Sequence, residues 1–170
     1  MSDNSPQEKI IKLVSSDGKE FEVPINVIRH ADTIKRLVEE LRLNDENEQN
    51  DPIPLQNVSG EIFEKVIQYC QYHCNDPVLT DDDLLDTNRD ISTWDVDFLR
   101  VNNASIFNLI WAAHELGIRG LAKVGCGYVA NKIKGKSPEE IRRIFNIVND
   151  FTPEEEEQNR RENAWASDLE

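Results

Sequence analysis

Cys70, His73 and Cys74 lie close together in one helical pattern, and a third cysteine, Cys126, lies far along the chain. Two thiols at i and i+4 with an imidazole between them can turn three ligands toward one helix face, and zinc accepts such donors. The spacing is not the two-cysteine knuckle of structural zinc sites, and no second ligand pair follows. A free cysteine packs as a small hydrophobe, which suits these apolar surroundings better. As nucleophile and base the same residues lack an orienting acid and an oxyanion turn. Gly125-Cys126-Gly127 has the glycines of a phosphate loop without its pattern, and it falls inside a helix rather than after a strand. Close helix packing accounts for it. Carboxylates are everywhere, so no pair of them is distinctive. Nothing here assembles an active site, and neither a metal nor a cofactor is expected.

The chain has 170 residues and a formal charge of −14. That length suits one ordinary domain with an appendage. The acidity argues against nucleic acid and anionic membrane as partners and favours basic protein surfaces. The start, MSDNSPQEKI, lacks the basic and apolar regions of a signal peptide, and no run approaches a membrane span. An odd cysteine count fits free thiols in a reducing compartment. The expectation is a soluble intracellular protein.

Two β-rich runs within IIKLVSSDGKEFEV flank Ser16-Asp17-Gly18 and predict a hairpin, with Ile11, Leu13, Phe21 and Val23 on one face. After Pro24, INVIRHADTIKRLVEEL predicts an amphipathic helix with Val27, Ile28, Ile34, Leu37, Val38 and Leu41 inward. Residues 44–52 are acidic and predict a solvated, flexible loop. Ile53 to Val58 predicts a third strand, placed at an edge by its prolines. Ser59 is expected to cap the helix GEIFEKVIQYCQYHC, which buries Ile62, Phe63, Val66, Ile67 and Cys70. Residues 75–92 predict a second acidic, flexible insertion, after which Trp94, Phe98, Leu99 and Val101 anchor the return. ASIFNLIWAAHEL ends at Gly117, and LAKVGCGYVANKIKG ends at Gly135. The fold class is α+β, mixed and mainly helical, with a small sheet first and helices over it.

The tail carries one start signal twice, in Ser137-Pro138-Glu139-Glu140 and Thr152-Pro153-Glu154-Glu155. A hydroxyl stands at the N-cap, proline at the first helical position, and glutamate where it reaches back to the cap N–H. The first helix offers Ile141, Ile144 and Phe145, and the joint adds Ile147, Val148 and Phe151. The second has no aliphatic or aromatic anchor before Trp165. Glu156–Arg160 and Glu157–Arg161 pairs are expected to support it, each by about 0.2–0.5 kcal/mol. Such helices are marginal alone. Phe151 and Trp165 either close the protein's own core or anchor a partner, and their setting favours the partner.

The run NKIKGKSPEEIRRIFNIVNDFTPEEEEQNRRENAW resembles the C-terminal signature of the S-phase kinase-associated adaptor family of SCF ubiquitin ligases. IKLVSSDGKEFEV, TIKRLVEEL, DPIPLQNV, VIQYC and WDVDFL match that family in the same order. The resemblance implies a BTB/POZ-like domain over residues 1–131 and an F-box-binding helical extension over 132–170. It implies a non-catalytic adaptor, without cofactor, that bridges F-box proteins to a cullin for ubiquitin-dependent degradation. By position, the F-box surface would comprise Ile133, Pro138, Ile141, Phe145, Ile147, Asn149, Phe151 and Trp165. The cullin surface would comprise Ala113, His114, Glu115 and Ile118. There the family reads A-A-N-Y-L-D-I-K-G, whereas this chain has histidine and glutamate at 114 and 115. The alternative is a divergent scaffold that binds F-box proteins, or forms a homodimer through its BTB-like face, without recruiting the usual cullin.

Overall fold

The computed structural model describes residues 9–44, 52–80, 83 and 91–165. Residues 45–51 of the acidic loop expected at 44–52 and half of the insertion expected at 75–92 (81–82 and 84–90) lie outside these residues, as does the side chain of Leu41. Strands β1 (Ile10–Val14) and β2 (Glu20–Pro24) form the expected antiparallel hairpin, with Leu13 opposite Phe21 and Ile11 opposite Val23. Ile11, Leu13 and Val23 are buried, and Phe21 packs against them. The third strand, β3, is confined to Ile53–Pro54 and runs parallel to the central β1. It is indeed an edge, but shorter than the expected Ile53–Val58. Pro54 has no N–H to extend a ladder, and the chain enters a turn at Gln56.

Helix α1 spans Asp32–Asn44, not the whole stretch after Pro24. Between them, Val27 N–H donates to Pro24 O and Ala31 N–H to Ile28 O. These i→i−3 bonds close tight turns, whereas a helix needs i→i−4 bonds. Ile28 and Ala31 are buried nonetheless, which is why hydrophobic spacing resembles one longer helix there. Helix α2 (Gly60–Tyr72) buries Ile62, Phe63, Val66, Tyr69 and Cys70, while Ile67 is only half-buried. A short helix that periodicity missed, α3 (Thr93–Phe98), follows, with the Ser92 hydroxyl accepting from Asp95 N–H. Then come α4 (Asn103–Glu115) and α5 (Arg119–Ile133). Between these two, Gly117 adopts φ +71°, and a Cβ there would lie 3.0 Å from Thr33 N. Only glycine fits both demands.

The core unites the sheet with α1, α2, α4 and α5 through Leu13, Ile34, Phe63, Leu109 and Leu121, each about fully buried. Phe63 meets Phe21 edge to face at 5.0 Å between ring centroids. Ser59 does not cap α2 with its side chain. Instead the Asp17 carboxylate, held in the hairpin turn by the Ser15 hydroxyl at 2.5 Å, accepts from Gly60 N–H at 2.9 Å. These two bonds, the serine's first, hold the Asp17 carboxyl below the ordinary value of 3.8. A depressed carboxyl stabilises the fold above its unfolded pKa, and that contribution is lost as pH falls through the folded value. Asp17→Asn is therefore expected to be less stable than the parent at neutral pH. The difference should shrink as the pH drops below about 4, as read by urea unfolding at several pH values.

Close helix packing holds for Gly125 of α5 but not for Gly127. A Cβ on Gly125 would stand 2.6 Å from Ile110 Cγ1, whereas one on Gly127 would meet only the end of Ile91 at 3.3 Å. Alanine in a helix gains about 1 kcal/mol over glycine, and overpacking typically costs about 1–3 kcal/mol. Gly125→Ala is expected to destabilise by about 1 kcal/mol net. Gly127→Ala should be neutral or stabilising. Denaturant midpoints of the two variants should separate in that order.

The chain divides into two compact units, the second beginning at Ile133. The second unit contains α6 (Pro138–Phe145) and α7 (Pro153–Glu162). Both capping boxes form, with Ser137 and Glu140 at one helix start and Thr152 and Glu155 at the other. Glu157 takes Arg161 as expected and Arg160 as well. Glu156 does not take Arg160 and instead faces Arg142.

Candidate protein-binding site

Cys70 and His73 are held by their surroundings, while Cys74 is a half-buried and Cys126 an exposed free thiol. Burial pushes the Cys70 thiol up to about 12, so it is no nucleophile at neutral pH. His73 points its two ring nitrogens at Asp76 (2.6 Å) and Asp95 (3.0 Å), and Ser92 donates to the other oxygen of Asp95 at 2.7 Å. This chain ties the end of α2 to the start of α3. It stands at one side of a cavity of about 610 Å³ whose apolar wall includes Val78, Leu79, Ile91 and Val124. Among the described residues, no three His, Cys, Asp or Glu side chains are placed to hold a metal ion. No buried side-chain polar atom lacks a partner there.

The surface of α4 was less legible in the sequence. Ile106, Leu109, Ala112 and Ala113 take the buried face, which turns Phe107 and Trp111 outward, exposed by 48% and 58%. Together with Ile110, His114, Ala122 and Cys126 they line an open groove of about 570 Å³. The signal was present in the i,i+4 spacing of the two aromatics off the core stripe. Of the four residues assigned to a cullin surface, His114 is exposed and Glu115 is half-buried, with a long contact of 3.4 Å from Asn57. Ala113 and Ile118 are corrected: they are 0% and 1% exposed and belong to the core. A side chain with no accessible surface supports neighbouring contacts but makes none with a partner.

The tail unit gives the opposite picture. Neither α6 nor α7 has a buried residue. Ile141, Ile144 and Phe145 are half-buried, and Pro138 and Asn149 are exposed. Ile133, Ile147, Phe151 and Trp165 are exposed by 37%, 54%, 47% and 65%, and Val148 by 83%. The polar contacts concentrate at the joint. Asn146 ends α6 in the left-handed region at φ 56°, and Ile147 N–H turns back to Arg142 O at 2.8 Å. Phe151 N–H donates to Asn149 Oδ1 at 3.2 Å. The unit thus holds its backbone by caps and polar turns while apolar side chains face outward. Scattered exposed hydrophobics are ordinary, but here they gather in the joint between α6 and α7 and just beyond α7, beside two helices that bury no residue, which makes this stretch a candidate contact surface.

Comparison with known proteins finds two family matches in the chain, the second of which begins at residue 119, in α5 rather than at Ile133. Residues 9–75 match the model of the Skp1 family tetramerisation domain, and residues 119–166 that of the Skp1 family dimerisation domain. A Caenorhabditis elegans protein named "Skp1-related protein" is 54% identical over 165 residues, covering 95% of this chain and 94% of its own length. A protein of Arthroderma benhamiae named "E3 ubiquitin ligase complex SCF subunit sconC" is 47% identical, over 93% of this chain and 95% of its own length. The protein of the same name from Arthroderma otae is also 47% identical, over 93% of this chain and 94% of its own. With both domains matched in order and such identity along nearly its full length, the chain belongs to the Skp1 family.

Proposed function

We propose that this protein is a non-catalytic adaptor of SCF ubiquitin ligases, acting in the cytoplasm and nucleus. The tail unit takes the F-box of a substrate receptor, and the POZ unit meets a cullin. The relatives named as SCF subunits support the assignment. The observation that carries it is the tail itself: well-capped helices, no buried residue, and Ile147, Val148, Phe151 and Trp165 facing outward. A helical partner laid on that face supplies the missing core. Ile133, Pro138, Ile141, Phe145 and Asn149 complete the proposed F-box surface.

A second reading rests on His114 and Glu115. A charged, half-buried Glu115 suits a cullin only if the partner offers a cation, since an unpaired buried carboxylate opposes binding. Without that match, the chain would be an F-box-binding or self-associating scaffold, the exposed Phe107 and Trp111 serving a second copy. Calorimetric titration with an F-box domain, and separately with a cullin N-terminal domain, distinguishes the two. Heat from both supports the adaptor. Heat from the F-box alone supports the F-box-binding scaffold; heat from neither rejects both F-box readings and leaves self-association, which a dimer mass in solution would show.

A further inference from the structure

Glu156 carries a role that the apolar surface does not explain. Its neighbour Glu157 takes both nearby arginines of α7, Arg160 and Arg161. Glu156 instead reaches across the joint: one oxygen, Oε1, accepts from Arg142 Nη1 at 3.3 Å and from Asn149 Nδ2 at 3.0 Å. Each of those partners is engaged a second time. The Arg142 guanidinium lies 5.8 Å from the centre of the Phe151 ring, and the Arg142 carbonyl accepts from Ile147 N–H. Asn149 holds Phe151 N–H. A single carboxylate therefore connects α6, the joint and α7, and its partners fix the backbone at Ile147 and Phe151, two of the outward apolar residues.

We infer that Glu156 is a positioning residue: it organises the joint before the partner arrives, so that Ile147, Val148 and Phe151 are displayed in the arrangement that binds. The inference deepens the F-box reading and rests on it. The ion pair is modest in itself, because both side chains keep access to water, 20% for Arg142 and 36% for Glu156. Its effect comes through population. Apparent affinity falls by the fraction of molecules whose display surface is competent.

The test uses the full chain, an F-box domain, and the variants Glu156→Ala, Arg142→Ala, the double variant and Glu157→Ala. Glu156→Ala is expected to weaken F-box binding about tenfold, as when the competent population drops to about a tenth. The double variant should lose less than the sum of the two single variants, since both remove the Glu156–Arg142 pair while only Glu156→Ala also releases Asn149. Glu157→Ala should bind as the parent does. In the free chain, amide hydrogens of residues 146–152 should exchange faster in Glu156→Ala. Unchanged exchange and unchanged affinity would overturn the inference. Losses that add independently, with exchange unchanged, would make Glu156 a direct contact and also overturn it. If the parent binds no F-box domain, the functional reading fails first, and the exchange measurement still decides whether Glu156 organises the joint.

Discussion

Truncating Trp165 to alanine is expected to weaken capture of an F-box domain by about 2 kcal/mol or more, roughly 30-fold. The unfolding midpoint should stay where it was. The two halves of that expectation come from one fact. The indole is 65% exposed, so its removal leaves no cavity in the free protein. Its apolar area is lost only from the complex, where a large aromatic anchor in a desolvated pocket carries a disproportionate share of binding. Phe151→Ala should follow in direction, with an added loss because its ring also lies beside Arg142. Calorimetry gives the affinities, and thermal unfolding checks that the fold is intact. A variant that binds as well as the parent would remove Trp165 from the interface.

Phe63→Ala is expected to have the largest effect on stability, about 3–5 kcal/mol. Phe63 is 0% exposed on α2, packs edge to face on Phe21, and lies among residues of the sheet and the other helices. Removing the ring forfeits its transfer free energy and leaves a cavity that surrounding helices cannot fully close. Domains are stable by only about 5–15 kcal/mol, so the variant would lose much of its margin. Urea unfolding should show a lower midpoint. A loss below about 1 kcal/mol would mean that the core is not united around this side chain. Phe63 and Trp165 thus separate two settings of apolar area in this chain, one buried in folding and one left exposed, where the proposed function needs it.

What the sequence revealed follows the range of the forces involved. Both capping boxes were legible because each is closed within four residues, by Ser137 with Glu140 and Thr152 with Glu155. The hairpin was legible because turn and alternation agree. The start of α1 was not, since Ile28 and Ala31 are buried whether the backbone makes turns or a helix. Ser59 does stand at the N-cap of α2 as expected, but its side chain makes no cap bond, and Asp17, distant in sequence, takes the Gly60 N–H. Glu156 was misassigned for a related reason: a local i,i+4 partner in Arg160 was available, but the fold brings Arg142 and Asn149 to it. At the proposed cullin surface, family pattern located the stretch but could not tell outward from inward. Ala113 and Ile118 are core residues, whereas His114 reaches solvent. Trp111 stands off the core stripe of α4, and a strong helix signal alone does not tell which face an aromatic takes.

The central claim is that one chain joins two partners through separate surfaces. Its most direct test is the mass in solution of an equimolar mixture of this protein, an F-box domain and a cullin N-terminal domain, by light scattering after size exclusion. The account predicts a single species with the mass of all three chains, and the loss of only the F-box domain from it when Trp165 is replaced by alanine. Binary complexes that exclude one another, or a cullin that stays free while the F-box domain is bound, would contradict it.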